Sequence, residues 1–116
     1  MADKLPIVSR VLIALVFIMA GIGKLADSAS TAAYIESATP LPGILALPTG
    51  VFELGAGLVL VSGRYLKLTS LALIAFTALA TVLFHNNLAE QMQMVMALKN
   101  LAIIGGLLLL YGNSES

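Results

Sequence analysis

Four apolar runs, each long enough to cross a lipid bilayer, occupy most of this 116-residue chain. They cover residues 7–25, 43–61, 66–84 and 92–111, and a transmembrane helix needs about 20 mostly apolar residues. Backbone in hydrocarbon satisfies its hydrogen bonds inside helices, and the runs lack the alternation of barrel strands. The sequence therefore predicts an all-α fold, an integral membrane four-helix bundle that forms a single transmembrane domain over residues 1–116.

The proportion of charged residues supports this class. Only 10% of the residues are charged, against about 25% in a soluble domain, so lipid must be the solvent for most of the surface. The formal net charge is zero and there is no basic block, which argues against a nucleic acid partner. The chain has no cysteine, so redox chemistry would require a bound cofactor or a partner protein.

The connection between the first two runs predicts a short helix at the membrane interface. Asp27 is a good helix cap, and Tyr34 is expected at headgroup depth. Pro40 and Pro42 then end the helix. The first run has a second interpretation, because basic residues followed by a short apolar core also resemble a secretory signal. We expect an uncleaved span.

Basic residues predict the orientation of the spans. One side of the membrane has four of them, at the start of the first span and in the second connection, and the other side has only Lys24 (the four are Lys4, Arg10, Arg64 and Lys67). The excess of positive charge on cytoplasmic loops places both termini in the cytoplasm. The loops that contain Tyr34 and His85 then face outward.

One carboxylate, Glu53, lies near the middle of the second run. A charge at that depth costs about 2.5–3.5 kcal/mol on insertion scales, so the side chain should turn inward and find a partner. Lys99 reaches a similar depth from the outer end of the fourth run. Our hypothesis is a buried ion pair between Glu53 and Lys99, with His85 and Asn100 nearby. Alternatively, the pair only locks two helices together.

Helical spacing predicts which face of each span is turned inward. Small residues beside polar ones are typical of close helix packing in lipid. On the first span the predicted face is Arg10, Ala14, Phe17, Gly21 and Lys24, and on the second it is Gly50, Glu53 and Gly57. On the third span it is Ser70, Thr77, Thr81 and His85. On the fourth span it is Met92, Met96, Lys99, Ile103 and Gly106, with Asn100 one position further round the helix.

The remaining polar residues each allow two interpretations. His85 either hydrogen-bonds a quinone carbonyl or accepts a proton near neutral pH, or it is a capping or interfacial histidine at a helix end. Arg10 either binds a lipid phosphate or another anion, or extends to the inner interface. Lys24 is the corresponding cation at the outer end, and its place on the first inward face favours an inward role. One histidine with Glu53 is a poor ligand set, so no metal site is predicted.

Several segments together resemble the DoxX family of small bacterial membrane proteins. The resemblance covers residues 7 to 112, and its pieces follow in the family's order. They are Arg10 with Ala20-Gly21-Ile22-Gly23-Lys24-Leu25, then Tyr34 with Pro40-Leu41-Pro42, then Glu53-Leu54-Gly55-Ala56-Gly57, then Phe84-His85-Asn86, and Gln91-Met92-Gln93 before Leu98-Lys99-Asn100-Leu101.

The resemblance implies a four-helix, multi-pass protein of the bacterial inner membrane. Some relatives are linked to a thiosulfate:quinone oxidoreductase, or to a mycobacterial complex with superoxide dismutase and a sulfurtransferase-like protein. It therefore implies an accessory or quinone- or small-metabolite-binding subunit of a membrane oxidoreductase system, with oxidoreductase partners. Whether the chain is itself an enzyme stays open. The alternatives are a small proton-coupled transporter and a structural membrane protein without a ligand, and the small-residue faces would also suit a homo-oligomer.

Overall fold

The computed structural model describes residues 4–84 and 89–112, which contain five α-helices and no strand. The helices are α1 (Leu5–Ala26), α2 (Ser28–Ala38), α3 (Ala46–Ser62), α4 (Leu66–Phe84) and α5 (Gln91–Gly112), with a 3₁₀ turn at Gly43–Leu45 leading into α3.

Four segments in the described part of the chain are long and apolar enough to cross a membrane. They are Leu5–Ala26, Gly43–Ser62, Leu66–Phe84 and Gln91–Gly112. Each agrees with a predicted run to within two residues at both ends, which confirms the all-α membrane fold and leaves α2 as the short helix expected between the first two spans.

The chain divides at Gly63 into two compact units. In the first unit α1 packs against α3, and α2 packs against the 3₁₀ turn and α3. In the second unit α4 packs against α5. Both helix pairs are antiparallel, since Lys24 near the end of α1 meets Glu53 in the first half of α3, and Nζ of Lys67 near the start of α4 lies over the ring of Tyr111 near the end of α5.

Glycines bring α1 and α3 into close contact. A Cβ atom on Gly21 would lie 2.6 Å from the backbone nitrogen of Leu54 and 2.8 Å from the carbonyl oxygen of Gly50. A Cβ atom on Gly57 would lie 2.7 Å from Cγ1 of Ile18. Only residues without a side chain fit at such contacts, which is how helices associate closely in lipid.

The buried faces of the first unit confirm the predicted ones. Ala14, Phe17 and Gly21 are buried on α1, and Gly50, Glu53 and Gly57 are buried on α3. The helical period of small and polar residues was therefore a sufficient guide to the inward side of both helices.

In the second unit the prediction holds for α4 and differs for α5. Ser70 and Thr77 of α4 are buried as expected. On α5 the buried residues are Ala97, Leu107 and Leu110, whereas Met92 is 66% exposed and Lys99 is exposed. Met96, Asn100, Ile103 and Gly106 of the predicted face are partly buried, so the buried side of α5 overlaps the predicted one only in part, and the long side chain of Lys99 reaches outward.

The connection that contains α2 is fixed by local hydrogen bonds. The Asp27 carboxylate accepts from the backbone N–H of Ser30 at 3.1 Å, the predicted helix cap. At the other end the Thr39 hydroxyl donates to the carbonyl of Ile35 at 2.8 Å. The Glu36 carboxylate then accepts from the N–H of Gly43 at 3.1 Å and ties α2 to the 3₁₀ turn.

Candidate functional site: a charged pair inside the first unit

The ammonium of Lys24 and the carboxylate of Glu53 form an ion pair between α1 and α3. Nζ of Lys24 lies 2.6 Å from Oε1 of Glu53. The Lys24 side chain is 29% exposed and the Glu53 side chain is 6% exposed. Both residues belong to segments that are able to cross a membrane, so the pair lies where charges are rare and costly.

The glycine contacts place the two charged side chains opposite each other. A Cβ atom on Gly50 would lie 3.1 Å from Cβ of Lys24, so the lysine stem passes directly over the α3 backbone. Gly50 and Glu53 are three residues apart and share a helix face. Lys24 also lies in the last turn of α1, where the helix dipole favours a cation.

Lys24 provides the charge compensation for the buried carboxylate. Oε1 of Glu53 is enclosed and receives no well-aligned hydrogen bond from the described residues, so its 2.6 Å contact with Nζ of Lys24 is an ion pair without ideal hydrogen-bond angles. An uncompensated buried charge is strongly destabilising. The pair therefore makes the presence of Glu53 in this apolar segment tolerable.

The pair extends from the middle of the span toward its outer end, in the predicted orientation. Glu53 follows Gly43, the first residue of the second span, by a distance of about 15 Å along a helix that rises about 1.5 Å per residue. This is about half of the roughly 30 Å hydrocarbon thickness. Lys24 is close to Ala26, the last residue of α1, so its stem connects the carboxylate with the helix end.

The other residues of the predicted polar cluster belong to the second unit or fall outside the described residues. Lys99 is exposed and belongs to the second unit. Asn100, in the same unit, donates from Nδ2 to Oγ1 of Thr81 at 2.9 Å, and His85 lies outside the described residues. The pairing of Glu53 with Lys99 stays a prediction, while the cation that the structure places on Glu53 is Lys24.

The partnership of Lys24 with Glu53 was missed in the sequence analysis, although a signal for it was present. Lys24 was assigned to the inward face of the first span together with Gly21, and Glu53 to the inward face of the second. In the predicted orientation both lie in the outer part of their spans. Connected neighbouring helices usually pack against each other, so the nearer lysine was the simpler partner.

Arg10 contacts the end of α3, which was not expected either from anion binding or from a side chain that extends to the inner interface. Its Nη2 atom lies 3.5 Å from the carbonyl oxygen of Val61, a long contact with the last turn of α3. The guanidinium also lies against Gly63, where a Cβ atom would be 3.1 Å from Cζ of Arg10. Basic side chains near a helix C-terminus stabilise its free carbonyl groups. Binding of a lipid phosphate by Arg10 stays a prediction.

Two tyrosines on the described helices, Tyr34 and Tyr111, are exposed. Tyr34 is 50% exposed on α2, and its headgroup depth stays a prediction. Nζ of Lys67 lies 5.6 Å from the ring centroid of Tyr111, within the range of a cation–π interaction. The described residues contain no group of three histidine, cysteine or acidic residues that could hold a metal ion.

Four long apolar helices, two of which (α1 and α3) are joined by an ion pair, define a multi-pass α-helical membrane protein. A family model for DoxX matches residues 5–86. The chain belongs to the DoxX family. The match includes α1 to α4 with both residues of the pair, and ends before α5.

A curated relative of this chain is a protein of the bacterial inner membrane. The chain is 40% identical over 104 residues to the inner membrane protein YqjF of Escherichia coli K12, an alignment that covers 90% of this chain and 79% of the relative. No solved structure matches the chain significantly. With its four candidate spans, the protein is a multi-pass protein of the inner membrane whose surroundings are the lipid bilayer.

Proposed function

We propose that this protein is a ligand-binding subunit of a membrane oxidoreductase system, and that the Lys24–Glu53 pair contacts the polar head of a lipophilic quinone or small metabolite. The observation that supports this proposal is the pair itself, with Nζ and Oε1 at 2.6 Å. Ionisable groups within membrane spans are functional by default, because their cost must be offset by a use.

The chemistry of the pair suits a quinone head. A lysine ammonium has three N–H donors, and one carboxylate oxygen engages only part of them. The Lys24 side chain is 29% exposed, so donors remain for a ligand carbonyl while an isoprenoid tail stays in the surrounding lipid. Because the chain has no cysteine, its contribution is binding, and electrons pass between the ligand and a partner protein.

The test is the quinone content of the purified protein. The protein is extracted from native membranes into lipid nanodiscs, and bound isoprenoid quinone is quantified per protein and per phospholipid. We expect quinone enriched over bulk lipid for the natural sequence, and no enrichment for Lys24→Gln/Glu53→Gln. Lys67→Gln is the matched control, since Lys67 lies near the start of α4 and should retain the quinone. A natural protein with the quinone content of bulk lipid would contradict the proposal.

The tight glycine contacts favour a second candidate function. Gly21 and Gly50 leave little space between α1 and α3, as expected if the pair only locks the two helices together. In that case Lys24→Gln/Glu53→Gln lowers stability, while the quinone content and the activity of any partner oxidoreductase are the same as for the natural sequence.

A further inference from the structure

We propose that Lys24 is the group that contacts the ligand and that Glu53 is a positioning residue, so that the site selects uncharged heads with hydrogen-bond acceptors and rejects cationic heads. The inference rests on the proposed function, because it concerns the ligand of the same site. It assigns separate roles to two residues that a simple ion pair would treat as equivalent.

The first argument is the difference in exposure. The Lys24 side chain retains 29% of its surface and the Glu53 side chain retains 6%. Oε1 of Glu53 is fully enclosed. A ligand that approaches from lipid therefore meets N–H donors, and the carboxylate oxygen that holds the ammonium is shielded from it.

The second argument is the closed contact beside the carboxylate. Leu54 follows Glu53, and its backbone nitrogen would be 2.6 Å from a Cβ atom on Gly21. Such a contact leaves no room for a head group between α1 and α3 at this level. The ligand must reach the pair from the end of α1, where the lysine lies.

The third argument is the charge around the lysine. Lys24 and Glu53 cancel each other, and residues 25–47 contain two acidic residues, Asp27 and Glu36, and no basic residue. The local balance is therefore negative, which disfavours an anionic head and favours an uncharged carbonyl oxygen. A cationic head would be repelled by the Lys24 ammonium, which is the more exposed member of the pair and holds Oε1 of Glu53.

A charge-swap variant tests this assignment. Lys24→Glu/Glu53→Lys keeps an ion pair but exposes a carboxylate in place of an ammonium. The probes are a short-chain ubiquinone, dodecanoate and dodecylammonium, each measured by the shift in melting temperature of the purified protein in detergent. Lys24→Gln/Glu53→Gln is the control, since it has no charge at either position and reports only partitioning of each probe into micelles.

For the natural sequence we expect stabilisation by the ubiquinone, a smaller effect of dodecanoate, and no effect of dodecylammonium beyond the control. The charge-swap variant should lose the ubiquinone effect and gain stabilisation by dodecylammonium. Two outcomes overturn the assignment: a natural protein that dodecylammonium stabilises most, or a charge-swap variant with unchanged preference.

Single variants keep the assignment testable if the charge-swap variant does not fold. Glu53→Gln should retain ubiquinone binding within about threefold, and Lys24→Gln should lose at least about tenfold, or about 1.4 kcal/mol. The reverse order overturns the assignment. If the natural protein binds no quinone, the proposed function fails, while the order of dodecanoate over dodecylammonium still supports or overturns the assignment of Lys24.

Discussion

Nζ of Lys24 lies 2.6 Å from Oε1 of Glu53, and this contact joins α1 to α3 within the first unit. The two partners differ in their access to solvent, with the lysine side chain 29% and the glutamate side chain 6% exposed. Their removal should therefore have unequal effects.

Lys24→Gln should destabilise the protein more than Glu53→Gln. Loss of the lysine leaves a buried carboxylate unpaired, at a cost of about 3–5 kcal/mol. Loss of the carboxylate leaves a lysine that is already partly exposed near the end of α1, so we expect a loss of about 1–2 kcal/mol. Reversible unfolding in mixed detergent, followed by circular dichroism, measures both. Lys99→Gln is the control variant. Its loss of stability should equal that of Lys24→Gln only if Lys99 also pairs with Glu53.

Gly21→Ala should separate α1 from α3, and Gly23→Ala should not. A methyl group on Gly21 meets the α3 backbone at 2.6 Å, which cannot move aside, so we expect a loss of about 1–3 kcal/mol. Gly23 has no atom within 4 Å of the added Cβ, and alanine is the better helix former. The same unfolding assay compares them. Equal stability of the two variants would contradict the glycine contact.

Gly63→Ala should destabilise the turn after α3. Gly63 has a φ of +80°, a conformation that costs an L-residue about 1–2 kcal/mol, and the added methyl group would also press on the Arg10 guanidinium. Gly55→Ala is the control, because nothing lies within 4 Å there. In a double-mutant cycle, Arg10→Met should relieve part of the loss, and strict additivity of the two changes would argue against their contact.

Thr81→Val should weaken the α4–α5 pair, whereas Thr77→Val should not. Oγ1 of Thr81 accepts a 2.9 Å hydrogen bond from Asn100, and such bonds in membranes contribute about 0.6 kcal/mol on average. Oγ1 of Thr77 is buried without a hydrogen-bond partner among the described residues, so its removal should be neutral or stabilising. Steric trapping or detergent unfolding of both variants measures the difference. Greater damage from Thr77→Val would reveal a partner for that hydroxyl.

The predicted orientation is testable because the chain has no cysteine. Ser37→Cys, on α2, should react with a membrane-impermeant thiol reagent added to intact spheroplasts. Ser62→Cys, at the end of α3, should react only after lysis. Both positions are exposed. The opposite pattern would place the Lys24 end of the pair on the cytoplasmic side.

The sequence predicted the spans and the inward faces of α1, α3 and α4, because small and polar residues there recur at the helical period. It predicted the face of α5 only in part, since Met96, Asn100 and Ile103 are partly buried while Met92 and Lys99 are exposed, and apolar residues around most of this helix leave little periodic contrast. The contact of Glu53 with Lys24 was also not predicted, since depth alone does not distinguish Lys24 from Lys99. The distinguishing factor is which helices touch, and for α1 and α3 that depends on contacts such as the one at Gly21.

The charged pair lies wholly before residue 63, and this has a consequence for biogenesis. Synthesis proceeds from the N-terminus, so both members of the pair have been translated before α4 emerges from the ribosome. The first two spans are therefore able to leave the insertion machinery as a neutralised hairpin. A nascent chain stopped after residue 63 should already integrate stably, whereas the same chain with Lys24→Gln should integrate less efficiently.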